Sequence, residues 1–332
     1  MKSLGSQVKT IDCLRGVAAL MVCFYHFVCG NGAYLPEDNI LKIIGRHGYL
    51  GIEIFFIISG FILPYSMEKN NYTLKNYWKF ISKRILRLDP PYITVIILTL
   101  ILGYIGTLLP SYRGLPVQID VVQIALHLGY ITAIFDKDWI NPVFWTLALE
   151  FQFYLILALI YPIISKTKHH MYFLTMCCLL FSYFSDNEAY ILKFLPFFSL
   201  GINFFFFYTS KLKLPEFILI IVCIYSFILL KFNISYLISS LVPLIIFYND
   251  QISNKTLLFL GKISYSIYLL HVPIGMKIIN FSEPKVANIN WRGMIVFVDL
   301  MLLVVVSYFF YKFIELPAIK LSKKIKYFDN NG

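Results

Sequence analysis

The sequence predicts an all-α, polytopic integral membrane helical bundle of about ten transmembrane helices, with one re-entrant segment. Of the 332 residues, 59% are hydrophobic and 14% are charged, whereas soluble domains carry about 25% charged residues. The mean hydropathy is +0.72. About eleven apolar windows of roughly 14 to 22 residues recur along the chain, and one membrane crossing needs about 20 apolar residues. We therefore expect residues 1–332 to form a single membrane domain without an appended soluble domain.

The apolar windows are separated by short segments that hold most of the basic residues. The first window follows a weakly basic start and lacks a small-residue cleavage site, so it is typical of a retained span. The windows cover residues 11–28, 49–66, 90–109, 117–135, 143–164, 171–184, 190–208, 214–230, 234–248, 263–279 and 294–314.

The distribution of Lys and Arg predicts the orientation, because cytoplasmic loops carry an excess of these residues. If every window crosses, about 12 basic residues lie inside and about 13 outside, which breaks this rule. If 117–135 dips in without crossing, about 18 lie inside and about 7 outside, with both termini cytoplasmic. In a rival arrangement 171–184 does not cross, and about 17 basic residues then lie inside and about 8 outside. Asp120, Gln123 and His127 favour the first arrangement, because polar segments at membrane depth need protein or a cavity around them.

The net charge of +11, from 29 basic and 18 acidic residues, does not indicate a nucleic-acid partner. The basic residues gather between the apolar windows instead of forming one face. Membrane lipid is the expected partner, and no nucleic acid is expected. The six cysteines form no C-x-x-C pair and have no metal-ligand spacing, so we expect buried thiols and no metal site.

The segment before the third window is predicted to form an interfacial amphipathic helix, because apolar residues recur at helical spacing across residues 74–88 with lysines on the other face. Asp89 is predicted to end this helix and to cap a third span that starts at Pro90. Arg84 and Arg87 share one face. The free N–H groups of an adjacent helix start would complete a phosphate site with them. The alternative is that both arginines contact only anionic lipid.

Arg15 and His26 in the first window are predicted to share one helix face. Eleven residues correspond to about 16 Å of rise and about 20° of net rotation, so one cavity would reach both side chains. Ionisable groups inside a membrane are costly and usually functional. The alternatives are that Arg15 extends to the headgroups and that His26 makes a structural hydrogen bond.

Two carboxylates are predicted at a depth similar to that of His26. Glu150 lies about 10 Å below the start of the fifth window, 143–164, and Glu53 lies near the start of the second. Two acids and an imidazole suit general base catalysis, in which one acid orients the base. Either acid has the alternative of a structural pairing with an arginine or a backbone amide. His271 is interpreted as structural, through hydrogen bonds to other helices or to carbonyls freed by Pro273.

Six separated motifs carry a resemblance to a known family and extend from Ile11 to Pro317. They are IDCLRGVAALMVCFYH at 11–26, GIEIFFIISGF at 51–61, RILRLDPPY at 84–92, FWTLALEFQFY at 144–154, LGKISYSIYLLHVP at 260–273 and FIELP at 313–317. Together and in this order, they make the chain resemble the acyltransferase-3 family of membrane-bound O-acyltransferases.

This resemblance implies transfer of an acyl group, usually acetyl from acetyl-CoA, across the bacterial inner membrane to a hydroxyl of a cell-envelope glycan such as O-antigen, capsule or exopolysaccharide. Acyl-CoA is then a donor co-substrate, and no cofactor is permanently bound. By the same resemblance Arg15 and His26 match the functional pair of the first span, and Arg84 and Arg87 match the paired-arginine motif. Glu150 matches the acid of the Trp-Thr-Leu segment.

The resemblance further implies that CoA phosphates bind Arg84 and Arg87, that Arg15 lines the donor path and that His26 is the base or, alternatively, the acyl carrier. The sequence departs from the family pattern at two positions, since Glu53 stands where Asp is frequent and Phe151 follows Glu150 where a second acid is frequent. No SGNH-type domain follows the last span, which favours direct transfer or a separate polysaccharide-assembly partner.

Two other function classes remain open from the sequence. Polar residues buried in a helical bundle also suit a membrane transporter, although the two halves show no matching broken helices. A structural partner in polysaccharide export is the other alternative, and retention of glycan modification after His26→Ala would favour it.

Overall fold

The computed structural model describes residues 4–108, 120–248 and 254–327. Within these ranges the regular secondary structure is entirely helical. The α-helices are α1 (Leu4–Cys29), α2 (Ile40–Gly45), α3 (Gly51–Lys69), α4 (Tyr77–Thr107), α5 (Val121–Leu128), α6 (Phe144–Ile164), α7 (Lys168–Tyr183), α8 (Leu195–Tyr208), α9 (Leu214–Lys231), α10 (Ile234–Tyr248), α11 (Lys255–Lys262), α12 (Ser264–Leu270), α13 (Lys277–Ser282), α14 (Ile289–Phe310) and α15 (Leu316–Ser322). Two π-helical segments, His271–Met276 and Tyr311–Glu315, join α12 to α13 and α14 to α15.

Seven helical segments in the described ranges are long and apolar enough to cross a membrane. They are Lys9–Cys29, Ile40–Lys69, Leu74–Thr107, Phe144–Ile164, Ile191–Tyr208, Leu214–Lys231 and Ile289–Ser322. An eighth is formed if Lys255–Lys262 and Ser264–Ser282, which are bent by 56° relative to each other, make one broken span.

The predicted all-α, multi-pass membrane class is confirmed, whereas the count of about ten crossings is not. Two predicted spans correspond to α7 and α10, which have 16 and 15 residues. At the helical rise these helices are about 24 and 22 Å long, shorter than the roughly 30 Å hydrocarbon core.

The predicted re-entrant window contains α5, whose eight residues extend only about 12 Å. Residues 117–119 of this window lie outside the described ranges. His127 is fully buried. Its Nδ1–H donates to the Gln123 carbonyl over 2.7 Å, and its Nε2 accepts the Ile140 N–H over 3.0 Å. These bonds tie the short helix to the segment that leads into α6, so His127 serves the local structure.

The predicted helix boundary at Asp89 is wrong, because α4 continues without a break through Pro90 and Pro91. The Asp89 carboxylate accepts a hydrogen bond from the Tyr130 hydroxyl over 2.8 Å instead of capping a helix. Thr94 donates to the Pro90 carbonyl over 2.7 Å. Hydroxyl groups of this kind let membrane helices tolerate internal proline. The predicted start of a separate third span is therefore not present beside Arg84 and Arg87, and that part of the predicted phosphate site is overturned.

Helices α3 and α8 pack closely enough that glycine is required on both sides. A Cβ atom on Gly60 would overlap the Phe198 carbonyl oxygen, and one on Gly201 would overlap the Ile57 carbonyl oxygen. Small residues allow this backbone approach between membrane helices. The spans containing α3 and α8 are the most buried. Of the residues in the apolar stretch of each span, 72% are buried for α3 and 78% for α8, against 11% for α9. Helix α3 consequently lies at the centre of the bundle.

Candidate functional site

A cavity of about 510 Å³, here called the central cavity, lies between α1, α3, α4, α6 and α12. Its lining follows α3 from Ile52 to Lys69, which is about 26 Å of helical rise. The cavity is therefore elongated along the bundle and extends over most of the thickness of a membrane core.

Six charged side chains from four helices line the central cavity. They are Asp12 and Arg15 of α1, Lys69 of α3, Arg84 and Arg87 of α4, and Glu150 of α6. The sequence placed Arg15, the Arg84/Arg87 pair and Glu150 in separate segments of the chain, and helix packing brings them to one space. Three guanidinium groups and one ammonium group against two carboxylates favour an anionic ligand.

Aromatic rings hold Arg84 in place. Its guanidinium carbon lies 5.2 Å from the centre of the Phe80 ring and 5.5 Å from that of Tyr154. Arginine favours such stacking because its planar group interacts with the ring face while its N–H groups remain free to donate. Arg87 lies one turn further along α4 and lines the same cavity.

Glu150 pairs within the central cavity and not with His26. Its Oε1 accepts a hydrogen bond from the Ser59 hydroxyl over 2.7 Å. The Tyr154 hydroxyl also hydrogen-bonds to this carboxylate. Because Tyr154 stacks on Arg84, the acid belongs to the arginine-lined region of the cavity.

His26 lies beyond the end of the central cavity and is not among its described lining residues. Tyr268 lines that end, and its hydroxyl is 2.6 Å from Thr146 Oγ1. The ring centres of Tyr268 and His271 are 5.5 Å apart, and those of His271 and His26 are 5.0 Å apart. A chain of neighbouring rings thus connects Tyr268 in the cavity lining, through His271, to His26. Arg15 and His26 share α1, but only Arg15 lines the cavity.

His271 begins a π-helical segment and is fully buried. Its Nδ1 is 2.6 Å from the Tyr268 carbonyl oxygen. A carbonyl can only accept, so Nδ1 carries a proton. Its Nε2 is buried without a hydrogen-bond partner among the described residues. The sequence interpretation of His271 as structural did not anticipate its position beside His26, whereas π-helical segments are frequent at functional sites.

Glu53 makes no hydrogen bond or ion pair with His26 or Glu150 in the described part of the chain. It lies in the first turn of α3 and is 3% exposed. Its charge interacts with Tyr49 and Tyr236, and its Oε2 has no hydrogen-bond partner in the described part of the chain. The structure therefore does not bring His26, Glu53 and Glu150 into one cluster. Similar depth in the membrane is not enough for contact, because each helix rotation decides which neighbour a side chain faces.

Glu315 is a further buried acid that the sequence reasoning did not single out. It ends the second π-helical segment, is 3% exposed and accepts a hydrogen bond from Ser266 over 2.5 Å. Its charge interacts with Arg15 and Arg87. The FIELP motif was the available signal, but its pairing with α1 and α4 is visible only in three dimensions.

Comparison with known proteins gives a family match over almost the entire chain. The Acyl_transf_3 family, described as an acyltransferase domain, matches residues 8–312. A protein of Acidianus two-tailed virus named "putative acetyltransferase" is 28% identical over 290 residues, which cover 78% of this chain and 81% of the viral protein. A protein of Staphylococcus aureus strain COL named "putative O-acetyltransferase" is 24% identical over 369 residues and 94% of this chain.

The match spans 57% of the length of the Staphylococcus protein. No solved structure matches the chain. The family match and the multi-pass helical fold agree with each other, and the chain belongs to the acyltransferase-3 family.

Proposed function

We propose that this O-acyltransferase transfers an acetyl group from acetyl-CoA on the cytoplasmic side to a hydroxyl of a cell-envelope glycan, as a multi-pass protein of the bacterial inner membrane. The observation that carries the proposal is the elongated central cavity. Arg84 and Arg87 line it near one end, and the other end lies at Tyr268, behind which His271 and His26 are found.

The three arginines are proposed to bind the anionic donor. The guanidinium groups of Arg84 and Arg87 offer planar pairs of N–H donors that match phosphate oxygens, and Arg15 lines the same cavity. With the diphosphate at these groups, the extended arm of the donor follows α3 and directs the thioester toward Tyr268. Glu150 offsets part of the arginine charge. Its carboxylate is hydrogen-bonded to Ser59 and to Tyr154, and the second of these bonds orients the Tyr154 ring against Arg84.

His26 is the proposed general base. It removes the proton from the acceptor hydroxyl as the oxygen attacks the thioester carbonyl. The new C–O bond forms and the C–S bond breaks, so the acyl group leaves with the glycan and CoA remains in the central cavity as the thiolate. The thiolate takes up a proton from water, and His26 releases its proton at the end of the cycle.

His271 is the proposed positioning residue for this base. Because its Nδ1–H is committed to the Tyr268 carbonyl, only Nε2 remains to accept a hydrogen bond. The His26 ring lies 5.0 Å away and carries one N–H in its neutral form. A bond from that N–H to His271 Nε2 would leave the other ring nitrogen of His26 free to act as the base.

Mass spectrometry of envelope glycans from strains with and without the gene tests this function. We expect loss of one acetyl mass increment on gene deletion, recovery with the wild-type gene and no recovery with His26→Ala. The matched control is His47→Ala, since His47 is an exposed histidine outside the cavity. Unchanged glycan masses on deletion would overturn the glycan acceptor. Full acetylation by a well-expressed His26→Ala protein would overturn the role of His26.

A further inference from the structure

A second cavity, of about 410 Å³, adjoins the central cavity and is strongly basic. Its lining includes Lys69, Lys83, Lys323 and Lys326, and these residues define what is here called the lysine cavity. No Asp or Glu is among its described lining residues. Lys69 also lines the central cavity, so the two spaces meet at the end of α3.

The lysine cavity continues the positive charge of Arg84 and Arg87. Lys83 lies one turn before Arg87 on α4, and residues four apart share a helix face. The charge of Lys83 interacts with those of Arg84, Arg87 and Lys323. Cationic side chains therefore extend from Arg84 and Arg87, which line the central cavity, through Lys83 to Lys323 in the segment after α15.

Specific contacts hold that segment against the start of α4. The Tyr327 carbonyl accepts hydrogen bonds from Asn76 Nδ2 over 3.1 Å and from Lys79 Nζ over 3.4 Å. The Tyr327 ring lies 5.3 Å from Lys83 Nζ and packs edge-on against Tyr72 at 6.1 Å. Lys323 and Lys326 are thereby placed opposite Lys69 and Lys83 across one cavity.

The four lysines have no carboxylate partner among the described residues. The ion pairs in residues 4–108, 120–248 and 254–327 involve other basic groups. Clustered ammonium groups repel one another, and a polyanion would offset this repulsion. Lysine binds phosphate as a compact point charge with three N–H donors, so the chemistry fits a phosphate monoester.

We propose that the lysine cavity binds the 3′-phosphate of the ribose at the nucleotide end of acyl-CoA. This inference rests on the proposed function, since it assumes acyl-CoA as the donor. The 3′-phosphate then lies among Lys83, Lys323 and Lys326, and the diphosphate lies at Arg84 and Arg87. The lysine cavity distinguishes CoA thioesters from donors that lack the 3′-phosphate. The headgroup of an anionic lipid is the other source of the same phosphate chemistry.

Steady-state kinetics with acetyl-CoA and 3′-dephospho-acetyl-CoA test the proposal on the purified full-length protein in phosphatidylcholine nanodiscs. For the wild type, we expect the KM for the dephospho donor to be at least about tenfold higher than the KM for acetyl-CoA. This is the usual effect of losing a charged group that accepts hydrogen bonds. In K323Q/K326Q the KM for acetyl-CoA should rise by at least about tenfold. The KM for the dephospho donor should stay unchanged in that variant.

The matched control is K320Q/K324Q, which removes the same charge from neighbouring positions that do not line either cavity. It should keep the wild-type preference between the two donors. The proposal is overturned if K323Q/K326Q raises both KM values equally or leaves both unchanged. It is also overturned if the effect appears only when phosphatidylglycerol is added, because the site then binds lipid.

A binding measurement tests the proposal without turnover. Calorimetry measures the affinity for adenosine 3′,5′-bisphosphate and for adenosine 5′-monophosphate. The wild type should bind the bisphosphate at least about tenfold more tightly, and K323Q/K326Q should bind both equally. Equal binding by the wild type would overturn the lysine cavity as a 3′-phosphate site. Absence of acyl transfer with either donor, together with the expected binding preference, would contradict the proposed function alone.

Discussion

The imidazole rings of His26 and His271 lie with their centres 5.0 Å apart and their planes inclined by 46°, although they belong to α1 and to the segment after α12. His271 donates from Nδ1 to the Tyr268 carbonyl, and its Nε2 has no partner among the described residues. The pair joins the proposed base to the Tyr268 end of the central cavity.

His271→Ala is expected to lower kcat by about tenfold or more, the effect of losing one hydrogen bond to the reacting group. The KM for acetyl-CoA should change little, because the arginines are distant from this change. His271→Gln should recover much of the loss, since its carbonyl oxygen can accept in place of Nε2. The measurements are kcat, KM and the pH profile of kcat/KM for the three proteins.

A purely packing role for His271 predicts a different pattern. Both variants would then lower protein abundance or thermal stability together, the pH profile would keep its shape, and Gln would not recover activity better than Ala. That pattern would contradict the positioning role.

Arg87→Lys is expected to weaken the use of acetyl-CoA although it keeps the charge, because lysine lacks the planar fork that binds phosphate oxygens in pairs. Lys75→Ala removes a charge from an exposed position just before α4 and is the matched comparison. The apparent KM for acetyl-CoA should rise more in Arg87→Lys than in Lys75→Ala. The reverse order would support a lipid-anchoring role, in which each basic residue contributes about 1 kcal/mol through its charge.

Gly201→Ala is expected to destabilise the bundle by about 1–3 kcal/mol, the usual cost of overpacking. The added Cβ would overlap the backbone of α3 at Ile57, and backbone cannot move as a flexible side chain can. Gly32→Ala is the control, since a Cβ there meets no atom within 4 Å. Thermal unfolding in detergent measures both variants. Equal midpoints for both would show that α3 and α8 do not require this close approach.

Cysteine labelling in intact cells tests the predicted orientation. Asp138→Cys and Thr167→Cys place thiols at exposed positions on either side of α6, in a background in which the six native cysteines are replaced. A membrane-impermeant reagent should label only the first, because Lys166 and Lys168 are predicted to be cytoplasmic. Labelling of only the second would select the rival arrangement, in which Glu150 lies nearer the cytoplasmic face while Arg84 and Arg87 keep their cytoplasmic position.

The sequence singled out four residues that line the candidate donor site, although it assigned Glu150 to a cluster with His26. Arg15 and Glu150 were identified in apolar windows, and Arg84 and Arg87 in the segment before the third window. The structure places all four on one cavity. The sequence did not predict the contacts of His26. Depth along a helix follows from residue number, but the direction of a side chain toward a neighbour depends on how two helices are rotated and packed.

The sequence by itself determined the all-helical, multi-pass class, because a run of apolar residues has only helix formation available to satisfy its backbone in lipid. It also determined the family, through motifs from Ile11 to Pro317. The tertiary structure decided that α4 runs unbroken through Pro90, that His271 stands beside His26 and that Lys323 and Lys326 return to α4. These features depend on contacts between residues far apart in the chain, and such contacts arise from packing of helix against helix, which no local pattern encodes.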